Sequence, residues 1–300
     1  MEGRHQTPQF EHFVRTSPTF PPFSTQALAL WAKSGDETGN LSLPQHLVDT
    51  AGVAGVVYDA WVADQIKRRL TEGLSLSDNQ VRDLYIWLAG VHDCGKACLK
   101  FQTQLEHKGG FEHLVSNLTD AGLPLRVGGL ESGRSKMPHG ICSGVLILDW
   151  LMDQGFDYPT AELLSSVADA HHGVPSSDDE RYEIETILST YSQEWQEVHR
   201  DLLDTMAQAV DVWGTLDALK AHSQIDAAAI QLLTGLVVIA DWIASNPEAF
   251  PMVVSGPQEE RVQTGMQVTD LTGPWKGKMV DGDVDKQYQN SFNWPEHYRA

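Results

Sequence analysis

Seven side chains in this sequence carry the chemistry needed to hold divalent cations: His46, His92, Asp93, His139, His171, His172 and Asp241. Each interrupts or borders an apolar helical stretch. Imidazole and carboxylate donors suit Mn, Fe, Co, Ni or Zn. Seven are too many for one tetrahedral zinc. They suffice for two octahedral ions once water or phosphate fills the open positions. A shared carboxylate would hold such ions about 3.5–4 Å apart, the spacing used in metal-assisted phosphoryl transfer. Singly, the residues say less. His46 and His139 read more readily as helix-start or core histidines, and His171-His172 as a surface pair. Asp241 is the oddity: among Ile239, Ala240, Trp242 and Ile243 it needs a cation or a donor network to stay ionised, or else it caps a neighbouring helix.

The elements that must position these residues are helices. "LPQHLVDTAGVAGVVYDAWVADQIKRRL" (43–70) has Val53, Val57, Ala60 and Trp61 at helical spacings, Pro44 suited to a first turn, and Lys67, Arg68 and Arg69 near its C-terminal end. "SDNQVRDLYIWLAGVHDCGK" opens with Ser77 and Gln80 in capping-box spacing. Its stripe of Val81, Leu84, Tyr85 and Leu88 carries His92 to the core side, and Gly95 is ready to break the helix beyond Asp93. Helices are expected near 138–155, with His139 in the first turn, over 158–173, around 180–220 and over 225–247. Residues 104–136 read as an irregular excursion with one short helix. The architecture is therefore all-α: a loosely structured lead-in (1–40) with one short helix at most, a helical domain over 41–250, and an irregular extension (251–300).

Composition narrows the function classes. With 41% hydrophobic and 21% charged residues, 300 residues can bury a substantial core. The formal net charge of −20 argues against a broad basic DNA-binding surface, although bound cations or a delivering partner would supply what the count omits. Cys94, Cys98 and Cys142 form no disulfide framework and read as thiols beside a core, pointing to a reducing, cytoplasmic setting. The N-terminus lacks the apolar stretch of a signal peptide. The long apolar run near 227–245 contains Asp241 and reads as a buried helix, not a membrane span. His5, His12, His107, His113, His199, His222 and His297 are taken as structural or exposed.

Quoted in order, the motifs are "QHLVDTA" (45–51), "HDCGK" (92–96) followed by "KFQ" (100–102), "PHG" (138–140), "AHHG" (170–173) and "ADWIAS" (240–245). The set resembles the HD superfamily of metal-dependent phosphohydrolases, and within it the HD nuclease domain of the CRISPR-associated nuclease-helicase of type I systems. The resemblance implies an HD-domain helical fold and two metal positions. His46, His92, Asp93 and Asp241 would hold one ion; His139, His171 and His172 would join a bridging Asp93 around the other. It further implies Lys96 at a substrate phosphate, where the plainer role is a solvated or structurally paired lysine. Ser245, one turn after Asp241, is a candidate hydrogen-bonding support for the site. The implied reaction is metal-dependent endonucleolytic hydrolysis of single-stranded DNA, with Arg126, Arg134 and Lys136 as candidate backbone contacts. The implied partners are a superfamily 2 helicase module, in cis or in trans, and the CRISPR RNA-guided surveillance complex. No "GKT" or "GKS" occurs here, so the helicase is expected elsewhere, with the tail as a linker toward it. Two rivals stand beside this: an HD phosphohydrolase of a nucleotide or small phosphodiester, and a non-catalytic adaptor whose metal is structural.

Overall fold

The computed structural model describes residues 22–35, 39–126, 136–221, 225–269 and 271. The fold is predominantly α-helical. Its one departure among the described residues is a small hairpin within the expected lead-in. After a single turn α1 (Thr25–Leu28), strands β1 (Trp31–Ser34) and β2 (Asn40–Ser42) pair antiparallel, with a bulge between Trp31 and Lys33. The apolar residues 27–32 are thus divided: Ala27 and Leu30 enter the core, and Trp31 lies in the strand.

Helix α2 (Leu43–Val56) begins where Ser42 caps the backbone N–H of Gln45, with Pro44 in the first turn as its fixed φ favours. It does not run on to residue 70. A π-helical turn over Val57–Trp61 and a break at Val62 precede α3 (Asp64–Leu74). The β-branched Val53, Val56, Val57 and Val62 weaken helix propensity there, and a π turn adds a residue without ending the apolar stripe. Lys67, Arg68 and Arg69 consequently sit within α3, where Arg69 pairs with Asp226, and do not cap one long helix.

Helix α4 (Asp78–Val91) has the expected capping box of Ser77 and Gln80. Beyond it come a 3-10 turn (Cys94–Lys96), a short α5 (Leu99–Gln102) and α6 (Glu112–Asp120), the one helix described in the excursion. Then follow α7 (His139–Asp153), α8 (Tyr158–Asp169), α9 (Asp178–Leu188), α10 (Gln193–Val210), α11 (Trp213–Ala221) and α12 (Ala227–Ala244). Among the described residues, α12 is long and apolar enough to cross a membrane. Here it packs on α2, α3, α4 and α8. Trp242, beside Asp241, points out of the core and is 72% exposed.

Residues 258–269, where sequence shows few helical signals, form α13 (Gln258–Thr269) against α2. The inward face includes an arginine and a glycine, so its apolar stripe is weak. Arg261 Nε and Nη2 donate to the fully buried Asp49 carboxylate at 2.8–3.1 Å, and Gln45 and Gln258 donate to the same group.

Close backbone approach sets the spacing around the 3-10 turn. A Cβ on Gly95 would lie 2.2 Å from the His139 carbonyl oxygen and 2.3 Å from the Ser143 nitrogen; one on Gly144 would lie 2.9 Å from Asp169 Cβ. Gly95 also donates its N–H to Ser143 Oγ at 2.8 Å. A side chain at Gly95 would therefore part the turn from α7. Gly95→Ala is expected to cost about 3 kcal/mol, the upper end of ordinary overpacking, read as a lowered urea midpoint at unchanged slope.

Candidate metal centre

Five helix ends and turns converge on one point. His46 lies in the first turns of α2; His92 is the C-cap of α4, with Asp93 next in the chain. His139 opens α7, His171 and His172 lie on a 3-10 turn (Ala170–His172) beyond α8, and Asp241 is in the last turn of α12. Helix ends suit this work because their side chains can converge without continuing backbone in the way.

Asp93 is the centre. It is 2% exposed, and its two oxygens face different partners. Oδ2 lies 2.8 Å from His46 Nε2, 2.6 Å from Lys96 Nζ and 3.5 Å from His92 Nε2. Oδ1 faces His139 Nε2 (3.4 Å) and His171 Nε2 (3.5 Å). Asp241 Oδ1 completes the first group, 3.5 Å from His46 Nε2 and 3.4 Å from His92 Nε2. In the second group His172 Nε2 lies 2.7 Å from His139 Nε2. Two sets of donors thus stand close enough to share an ion: His46, His92, Asp93 and Asp241, and His139, His171 and His172. All seven residues singled out in the sequence fall in one or the other.

The donors fit cations. His92 Nδ1 donates to the Ala89 carbonyl at 2.7 Å, and His171 Nδ1 to the Ala168 carbonyl. In the neutral rings that leaves each Nε2 with its lone pair turned inward, as a held metal ligand requires. His92 Nε2, His171 Nε2 and Asp93 Oδ1 are buried without a hydrogen-bond partner. Buried polar atoms are rarely left so, and a cation on each side of Asp93 would satisfy all three. The two sides differ in access. His46 and His92 are fully buried, whereas His139 is partly open and His172 exposed.

Burial holds His46, His139 and His171 near pKa 4, so they are neutral and ligand-ready around pH 7. Burial also opposes charge on His92, but Asp93 and Asp241 outweigh it and raise that residue. Burial would likewise raise Asp93; the charges of Lys96 and His92 overcome this and hold it well below the usual carboxylate range. Asp241 is lowered too, against burial, by His92.

Other expected residues sort as follows. Ser245 Oγ donates to Asp241 Oδ1 at 2.7 Å. Lys96 is paired with Asp93. Arg126 and Lys136 are exposed and flank residues 127–135; Arg134 falls among those and lies outside the described residues. Cys94, Cys98 and Cys142 are buried free thiols. Buried His199 bonds the Ala97 carbonyl at 2.6 Å, a structural role. Sequence reasoning missed three supports. Gln102 of "KFQ" donates to the carbonyls of Trp31 and Lys96. Asp169 accepts from the N–H and hydroxyl of Ser176, closing the loop that carries His171 and His172. Lys33, on the hairpin, donates to the Ala244 carbonyl. Only "KFQ" had a signal, as a motif without a role.

Residues 31–250 match the family described as Cas3, HD domain. This chain belongs to the Cas3 HD-domain family. Among curated Cas3 proteins it is 26% identical over 291 residues to the CRISPR-associated nuclease/helicase of Streptococcus thermophilus, covering 88% of this chain and 30% of that one. It is 29% identical over 225 residues to the CRISPR-associated endonuclease/helicase of Thermus thermophilus, covering 75% of this chain and 23% of that one. The chain therefore spans less than a third of either relative. The solved Thermus thermophilus Cas3 HD domain, crystallised in the presence of Ni2+, superposes with a TM-score of 0.55 at 25% identity, covering 81% of this chain and 89% of that one.

The charge states give a pH dependence. Between pH 6.5 and about 4 the unfolded chain takes up protons that His46, His139 and His171 refuse when folded, so the metal-stripped protein loses stability as pH falls through that window. His92 has the opposite sign; its contribution is present below pH 6.5 and is lost as pH rises past its raised value. His92 must also shed its Nε2 proton to bind an ion. Metal uptake is expected to release protons and to tighten as pH rises, which calorimetric titration in buffers of different ionisation enthalpy would register.

Proposed function

We propose that this chain is a metal-dependent endonuclease domain that hydrolyses phosphodiester bonds of single-stranded DNA during type I CRISPR interference. The observation that carries this reading is the division of Asp93, one oxygen facing each group of histidines, so that a single carboxylate would serve both groups of donors. Family membership supports a nuclease role. A helicase module, in cis or in trans, would feed the strand, and the CRISPR RNA-guided surveillance complex would deliver it; that supply eases the conflict between a charge of −20 and a polyanionic substrate.

His46, His92, Asp93 and Asp241 would hold one ion, and Asp93, His139, His171 and His172 the other. Mn, Fe, Co and Ni suit this donor set best, and Zn is compatible; the nickel used with the Thermus thermophilus domain is in keeping with that. When bound, such a pair supplies Lewis acidity, acidifying a water and screening charge on the phosphoryl oxygens. The protein's own residues do the rest. Asp93 and Asp241 are held ionised, and Ser245 fixes the Asp241 oxygen that faces the histidines. The open side at His139 and His172 admits strand and water. Lys96 neutralises Asp93 in the metal-free protein. With the ions held, Lys96 would offer its ammonium to a substrate phosphate. Water attacks phosphorus, the bond to one ester oxygen breaks, and that oxygen leaves with a proton. Arg126, Arg134 and Lys136 are assigned to the strand's backbone.

The test is degradation of circular single-stranded DNA by metal-stripped protein reloaded separately with Mn, Fe, Co, Ni and Zn, with a small phosphodiester in parallel. The circle is expected to be cut only with metal. Asp93→Ala should lose at least about 100-fold in rate, since even residues that merely orient a metal's ligands cost 10–100-fold. An intact circle beside turnover of the small ester would instead mark a small-molecule phosphohydrolase.

A further inference from the structure

The histidines of the metal centre are not all held alike. His92 and His171 each give Nδ1 to a backbone carbonyl, which fixes the ring and turns Nε2 inward. His139, whose polar contacts run through Nε2 to His172 and Asp93, has no such anchor among the described residues. Its ring is met by other rings: His171 at 5.6 Å, His172 at 4.7 Å and Phe101, edge-on, at 5.8 Å between centroids. His172 rests on His171, at 4.0 Å, and on His139. Among the described residues, Phe101 is thus the one ring outside the donor set in contact with this outer group.

Phe101 lies in α5, a single turn too short to keep its shape by its own hydrogen bonds. The fold fixes it from outside. Leu99 donates its N–H to the Tyr191 hydroxyl at 3.0 Å. Trp31 of β1 packs on the Phe101 ring, centroids 4.7 Å apart, and its N–H and indole donate to Gln102 at 3.1 Å each. Gln102 Nε2 donates in return to the carbonyls of Trp31 and Lys96, at 2.9 and 2.8 Å. Lys96 Nζ, itself 2.6 Å from Asp93, lies 5.6 Å from the centre of the Phe101 ring, within cation–π reach. One half-buried phenyl ring therefore meets both the open-side histidine and the lysine paired with the central carboxylate.

We propose that Phe101 is a positioning residue for the outer ion: its ring, braced by Trp31, holds His139, and through it His172, in the orientation that ion requires. The proposal rests on the reading of the seven donors as a two-ion site. Phe101 also packs with Trp31, Phe111 and Leu114 in a small apolar cluster, and plain core filling is the competing explanation. Core filling needs only apolar volume and is indifferent to what the ring edge meets. A ligand ring that lacks the carbonyl anchor of its neighbours needs a wall, and Phe101 stands where that wall is needed.

The experiment is calorimetric titration of the metal-stripped protein with Ni2+, each variant checked by its thermal midpoint. Wild type, His139→Ala, Phe101→Leu, Phe101→Tyr and the double variant Phe101→Leu/His139→Ala are compared. Wild type is expected to take up two ions per chain, and His139→Ala marks which event belongs to the outer group. In Phe101→Leu that event should weaken at least about 10-fold, the loss typical of residues that orient a ligand, while the inner event stays within about twofold. Tyrosine keeps the ring and is expected to restore the outer event. Adding Phe101→Leu to His139→Ala should cost nothing further, because residues that act through one partner are not additive. An unchanged outer event in Phe101→Leu, equal weakening of both events, no recovery in Phe101→Tyr, or full additivity in the double variant would leave Phe101 as core filling and overturn the proposal. Should Phe101→Leu fail to fold, Phe101→Met, which fills irregular gaps more readily, is read by the same criteria. Wild-type protein that binds one ion or none would overturn the two-ion reading and this one with it, a result visible before any variant is measured.

Discussion

Everything in this molecule is arranged around a carboxylate that water cannot reach. A buried charge is tolerated only when opposite charge or strong donors surround it, and Asp93 has Lys96, His46, His92, His139 and His171 within 3.5 Å. Those partners come from α2, α4, the 3-10 turn after it, α7 and the turn beyond α8. To keep one acid ionised, the chain must bring separated segments together, and this requirement explains the packing better than any single hydrophobic stripe. The large apolar core provides the cohesion and the low dielectric that makes the requirement strict.

The same constraint explains where the fold is tightest. At Gly95 and Gly144 the backbone of α7 meets the Asp93 turn and the end of α8 with no room for a side chain. Distances at the centre are thereby set by main chain against main chain, and less by flexible side chains. Hydrogen bonds to Ala89, Ala168 and Ser245 then fix which atom of His92, His171 and Asp241 faces inward. Orientation is supplied one layer out from the donors themselves.

Much of this was legible in the sequence, and for a physical reason. A histidine or aspartate inside an apolar helical stretch violates the local pattern, and violations are visible without coordinates. That is how all seven residues could be listed, along with the helices that carry them and the Ser77 cap; their sorting into two sets of metal donors came from the family resemblance of the motifs. What was not legible lay where local pattern and tertiary role diverge. The π turn at Val57–Trp61 preserves the apolar period while ending α2. The strands Trp31–Ser34 and Asn40–Ser42 are too short for alternation to register, especially with a bulge between them. Asp169 and Gln102 look like ordinary polar residues, and only contacts across the fold show what they hold. Trp242, which reads as core beside Asp241, faces outward because helical geometry turns adjacent residues to different sides.

Helix α13 shows how far such a centre reaches. It contributes no donor and lies beyond the matched span 31–250. Its Arg261 nevertheless neutralises Asp49, one turn along α2 from His46, in a place closed to solvent. A fragment trimmed to the matched span would keep every donor and strand that aspartate as a lone interior anion on the helix that presents His46. The smallest self-sufficient piece of this protein is therefore defined by where its last countercharge falls, some residues past the last member of its metal centre.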